Sequence, residues 1–144
     1  MTQEEKNLLL KDLCSRLPYG VKVYGVFLNY NKDKDKILYE ECDKEFNYSH
    51  LNRYGTLKPY LFPLSSISED QKYDFYCRFI KNDCNFDDFK KFYLYNGMWR
   101  RKLLTFTSLY DIEAIIDWFH KNHIDYRDLI PMGLAIDATG LNIY

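Results

Sequence analysis

No charge of one sign dominates this chain. Its 20 Lys and Arg stand against 21 Asp and Glu, leaving a net charge of -1 and an isoelectric point near 6.3. A global field that would draw the protein onto nucleic acid or an anionic membrane is therefore missing, and nucleic acid is a poor partner. Long apolar runs are missing too. Stretches such as Leu8, Leu9 and Leu10 are far too short to span a bilayer. The opening MTQEEK is polar and acidic where a secretion signal needs a basic and then an apolar start, so the expected location is the cytosol.

The four cysteines, Cys14, Cys42, Cys77 and Cys84, form no CxxC pair, which argues against a zinc ribbon or a thioredoxin-type motif and for reduced thiols, some of them buried. There is no GxGxxG, Walker loop, HExxH or GxSxG elbow, and the glycines do not cluster into a phosphate cradle. The Asp33 and Asp35 run fails as a calcium loop, because Leu38 and Lys44 occupy the places where glycine and glutamate are required. Adjacent carboxylates such as Glu40 with Glu41 suggest no acid and base division. No cofactor is implied, and nothing in the sequence asks for an enzyme.

What is present is apolar and aromatic. Hydrophobic residues make up 47% of the chain and aromatic residues 18%, with 14 Tyr and 10 Phe, ample material to offset the conformational entropy of one folded domain. Thr2 with Glu5 forms a capping box, opening a helix whose stripe is Leu9, Leu10, Leu13, Cys14 and Leu17 and which ends at Pro18-Tyr19-Gly20. From residue 21 to 30 the period changes to two, the mark of a strand, and 37–42 returns antiparallel. Residues 43–56 read as a long excursion. A strand at 57–64 follows, which Pro59 and Pro63 would confine to an edge.

Ser68 and Gln71 form a second capping box, with Tyr73, Tyr76, Cys77 and Ile80 expected on the inner face of the helix they open. A third helix is expected over 86–95. A fourth, the densest apolar pattern in the chain, runs over 108–121 and is capped by Ser108, with Leu109, Ile112, Ile115, Ile116 and Phe119 as its stripe. Leu134, Ile136 and Ile143 offer a last short strand. These elements predict an α+β fold, a small and mostly antiparallel sheet packed against about four helices, as one globular domain over 1–144.

Three constellations merit weighing. His120, His123 and Asp125 could supply three metal ligands, though Asn122 taking a left-handed cap and Asp125 capping a short turn explains the same residues with less. Tyr126 and Arg127, beside Asp125, could clamp an anion or peptide; a surface ion pair is the plainer reading. Lys90, Lys91, Trp99, Arg100, Arg101 and Lys102, interleaved with rings at Phe92, Tyr93 and Tyr95, could hold single-stranded nucleic acid, but Asp87 and Asp88 nearby favour a solvated face.

Three segments, LLLKDLCSRLPYGVKV, KPYLFPLSSISED and HIDYRDLIPMGLAIDA, resemble a group of small uncharacterised proteins carried by phages and mobile elements of gut bacteria. The resemblance covers about half of the chain and implies an accessory role. It carries over no activity, cofactor or site residue.

The reading that follows is a non-enzymatic accessory protein that binds a host or phage protein. The alternatives are a small-ligand module holding a nucleotide with Arg127, Arg100 and Arg101, and a metal-dependent enzyme using His120, His123 and Asp125. Tyr48, Tyr54, Tyr60 and Trp99 exposed in one patch would favour the first.

Overall fold

The computed structural model describes residues 1–31, 36–82, 84–90 and 109–144, with the backbone alone at 28–31, 36–42 and 109–111. The fold is α+β. The described residues contain four α-helices and five strands, in the order α1 (Gln3–Arg16), β1 (Lys22–Asn31), β2 (Lys36–Glu45), β3 (Lys58–Pro63), α2 (Glu69–Phe75), α3 (Phe86–Phe89), α4 (Leu109–Lys121), β4 (Ile124–Asp125) and β5 (Ile136–Asp137). The strand order is β2-β1-β3-β4, with β5 also paired to β3. The chain divides into two compact units: unit 1 comprises Met1–Leu61 and Arg127–Tyr144, and unit 2 comprises Phe62–Tyr126.

In unit 1, Thr2 caps α1 as its sequence predicts. The Glu5 amide donates to Thr2 Oγ1 at 3.1 Å while the Thr2 amide donates to Glu5 Oε2 at 2.6 Å. The buried face of α1 is Leu9, Asp12, Leu13 and Arg16. This is rotated from the expected stripe, and Cys14 is exposed. The rotation has a chemical cause, since Asp12 and Arg16 neutralise each other one turn apart and can enter the interior together.

Gly20, at φ 68, provides the left-handed step that turns the chain from helix into β1. Strands β1 and β2 form an antiparallel hairpin in register from Lys22 with Glu45 to Asn31 with Lys36. Gly25 gives β1 room to pass the buried Leu57, because a Cβ there would press on the end of the Leu57 side chain, which would have to shift. The core gathers Leu9, Leu13, Val21, Val23, Phe27, Phe46, Leu57, Leu61, Leu129 and Leu134.

The polar stretch after β2 folds instead of wandering. It is a 3₁₀ helix, Tyr48–Thr56, capped by Asn47, whose Oδ1 accepts from the Ser49 amide at 2.9 Å. The expected edge position of β3 is corrected by its partners. It meets β1 at Lys58 and Pro59 and β5 at Tyr60 and Leu61, so it is an interior strand of unit 1. The prolines are tolerated because each ladder is only two residues long, and no run of ladder bonds passes through a ring lacking its N–H.

In unit 2, Ser68 caps α2 through the Gln71 amide at 3.2 Å. The inner face is Lys72, Phe75 and Ile80, with Tyr76 packed against the same core as expected, whereas Tyr73 is 56% exposed and Cys77 is also on the surface. The difference comes from a π-helical turn at Tyr76–Ile80. Its wider turn puts Phe75 and Ile80, five residues apart, on one side. Phe75 then packs on Phe79, Phe89, Trp118 and Phe119 with ring centroids 4.9 to 5.8 Å apart. α3 opens at Asn85, whose side chain accepts from the Asp88 amide. The expected continuation of this helix to residue 95 and the Ser108 cap lie outside the described residues.

Candidate functional site

α4 ends at the first predicted constellation. His123, at φ 55, takes the left-handed position expected of Asn122. Asn122 instead turns its side-chain amide back to the Trp118 carbonyl at 2.9 Å. His120 is buried, its Nε2 2.9 Å from the Tyr126 hydroxyl, and the Tyr126 ring stacks on Phe119 at 5.4 Å. Asp125 is a buried residue of β4, opposite Pro63, rather than the cap of an exposed turn. Among the described residues no three His, Cys, Asp or Glu side chains come together in a group able to hold a metal ion, so His120, His123 and Asp125 do not form the ligand set their spacing suggests. The spacing fails because β4 begins immediately after His123, and an extended segment carries its residues away from the helix face they followed.

Arg127 belongs to unit 1, where its Nε lies 3.3 Å from Asp12 Oδ1 and its side chain is 16% exposed. Asp12 also accepts from Arg16 Nε at 2.7 Å and Nη2 at 3.1 Å. One carboxylate thus faces two guanidinium groups, and Arg127 spends charge on Asp12 that a nucleotide reading would spend on phosphate. Trp99, Arg100 and Arg101 lie outside the described residues. Of the described tyrosines in the expected patch, Tyr48 is 77% exposed, Tyr54 packs against the unit 1 core, and Tyr60 is 7% exposed. They do not form an exposed patch.

Two features that the sequence did not single out remain. The first is the outer edge of β2. β1 meets β3 only at Val23 and Tyr24, so from residue 25 onward the hairpin continues past its neighbour. Among the described residues, no strand pairs with the other edge of β2 along its ten residues. The register places positions 37, 39, 41, 43 and 45 on the same face as Lys22, Tyr24 and Val26, and Val26 is exposed.

The second is a recess of about 360 Å³ in unit 2, lined by Asp74, Arg78, Phe79, Ala114, Asp117, Trp118, Lys121 and Asn122. Arg78 and Phe79 reach it from the π-helical turn. Trp118 donates its indole N–H to Asp74 Oδ2 at 2.8 Å, and Arg78 Nε donates to Asp74 Oδ1 at 2.9 Å. The Trp118 bond, then Arg78, and more weakly Lys121, hold the Asp74 carboxyl below its ordinary value. The recess is therefore lined by two acidic and two basic residues beside Phe79 and Trp118. Asp74 and Arg78 are four apart in sequence, a spacing visible in advance. Nothing in the sequence shows that α2 and α4 bring them to Asp117 and Lys121.

No family model, no curated protein and no solved structure matches the chain. Among the described residues, no helix is long and apolar enough to cross a membrane.

Proposed function

We propose that this is a non-enzymatic binding protein, an accessory factor of a phage or mobile element acting in the bacterial cytoplasm, that engages a host or phage protein along the outer edge of β2. The observation that carries the reading is the ten-residue edge of β2, unpaired among the described residues. Such an edge presents a row of backbone donors and acceptors that an extended segment of another protein can complete.

Charge defines the partner. β2 carries Glu40, Glu41, Asp43 and Glu45 against Lys36 and Lys44, an excess of two acids. Self-pairing about the centre of the strand would set Glu40 against Glu41 of a second copy, and like charges directly opposite are destabilising. An extended segment with alternate basic residues meets the edge without that penalty.

The test is selection of extended peptides on the purified protein, followed by amide exchange with the selected peptide bound. The expected result is enrichment of Lys and Arg, protection of amides in 36–45, and about tenfold weaker binding after Glu41→Lys. Selected peptides that leave β2 unprotected would overturn the reading.

A further inference from the structure

We infer that Lys44, His50 and Arg53 in unit 1 form a binding site for a single phosphate group, free or carried by a small ester. Of the described arginines, Arg16, Arg78 and Arg127 each have an aspartate as ion-pair partner. Arg53 has none among the described residues and sits with two further basic groups instead. Its Cζ lies 5.5 Å from the centroid of the Phe27 ring, Lys44 Nζ lies 5.0 Å from the same centroid, and the His50 ring meets Phe27 edge-on at 5.1 Å. The buried ring attracts both cations but brings no counter-charge, so an anion is what the cluster lacks.

The cluster is built by local geometry. His50 and Arg53 stand one turn apart on the 3₁₀ helix Tyr48–Thr56, whose tight winding brings them onto one side, and Lys44 joins them over Phe27 from β2. The Asn47 amide donates to His50 Nδ1 at 3.2 Å, which fixes the imidazole and leaves its proton on Nε2 as a donor. Burial first, then the charges of Lys44 and Arg53, hold His50 below its ordinary value, so both cations act on an imidazole that is neutral at pH 7. The guanidinium fork, the ammonium and the Nε2–H offer more donors than a carboxylate has oxygens, and two cations match the charge of about -2 that a phosphate group carries near pH 7. A polyphosphate or a nucleic acid strand fits less well, because the register sets Glu40 opposite Phe27, and Asp43 and Glu45 flank Lys44 in sequence. The site does not depend on a partner strand along β2.

The experiment is titration of the protein at low salt with orthophosphate, glycerol 3-phosphate and acetate, read by calorimetry and by the NMR resonances of the His50 ring. Saturable binding of phosphate is expected, at least tenfold tighter than acetate, with the His50 resonances moving along the same isotherm. It should weaken at least tenfold in Arg53→Gln and in Lys44→Gln. Tighter binding of orthophosphate assigns the site to the free anion and tighter binding of glycerol 3-phosphate to a small ester, and either order supports it. Unliganded unfolding temperatures of the variants are measured alongside. If a variant fails to fold, the anion series and the His50 resonances of the unaltered protein decide alone. Absence of saturable phosphate binding, equal affinity for acetate, binding that leaves the His50 resonances in place, or affinity unchanged in both folded variants would each overturn the inference. Phosphate binding that appears only in Glu40→Gln would make Glu40 the anion of the cluster and overturn it as well.

Discussion

The two units each contain an aspartate and an arginine four residues apart on a helix, and treat them in opposite ways. In unit 1 the Asp12 and Arg16 side chains are both 0% exposed. In unit 2 the Asp74 and Arg78 side chains are 46% and 59% exposed. The spacing and the chemistry are the same, so the difference lies in what surrounds each pair. α1 lays its pair against an aliphatic interior, with Arg127 as a third member. α2 turns its pair outward, with Phe75, Phe89, Trp118 and Phe119 packed inside and Lys72 the charged residue on its inner face. A helical i,i+4 pair is therefore no guide to its own worth. Burial decides whether it is a keystone or an ornament.

The largest effect should follow from Asp12→Ala. Removal of the shared carboxylate takes an acidic partner from Arg16, which is wholly buried, and from Arg127, which is partly buried. The expected cost is about 3–5 kcal/mol, read from urea unfolding. Replacing Asp12 and Arg16 together, by leucine and methionine, should recover most of that loss, because the penalty belongs to the desolvated guanidinium rather than to the missing attraction. A loss below about 1 kcal/mol for the single substitution would break the comparison, since that is what an exposed pair shows.

Local signals were legible in the sequence, and the features that depend on packing were not. The Thr2–Glu5 and Ser68–Gln71 capping boxes need only neighbours in the chain, and both are present. The switch to period two placed the β1–β2 hairpin within a few residues. The buried faces of α1 and α2 are legible in part: Leu9, Leu13 and Ile80 are buried as expected, whereas the entry of the Asp12–Arg16 pair into a core and a π-helical turn that breaks the 3.6 period are not. Pro59 and Pro63 suggested an edge, yet ladder length, which no sequence prints, decides what a proline costs. Among the described residues His120, His123 and Asp125 make no group able to hold a metal, because β4 begins directly after His123. The recess joins residues from 74 to 122, and their meeting is a product of the fold alone.

A smaller, pH-dependent effect distinguishes unit 1 in a second way. Tyr60 is buried and donates its hydroxyl to Asp43 Oδ1 at 2.6 Å. Burial first, then the bond and charge of Asp43, push the phenol up to about 12 from its ordinary 10. The folded state holds this proton more tightly than the unfolded chain. Its contribution is complete below pH 10 and declines as pH rises toward 12, by about 2 kcal/mol at most. Tyr60→Phe should flatten that part of the stability profile above pH 10. An alkaline decline of the same slope in the variant would assign the loss to other groups, Tyr144 first, whose phenol burial also pushes up to about 12.

The smallest effect, and the one that sharpens the comparison most, is Asp74→Ala. The substitution removes an exposed ion pair with Arg78, worth less than about 1 kcal/mol. It also takes the acceptor from the Trp118 indole N–H, a loss of about 1 kcal/mol if water does not replace it. The total should stay well under that of Asp12→Ala. Asp74→Asn separates the two parts, because an amide oxygen can still accept from the indole while the charge is gone, and so it should cost only a few tenths of a kcal/mol. The carboxyl of Asp74 is held below its usual range, so its contribution is complete above the ordinary aspartate value near 3.8 and fades only as pH falls through the lower folded value. At neutral pH the difference between the alanine and asparagine variants therefore measures the Trp118 hydrogen bond, with the ion pair absent from both. If the two variants cost the same, the indole N–H has found water, and the Asp74 contact orders the recess without stabilising the fold.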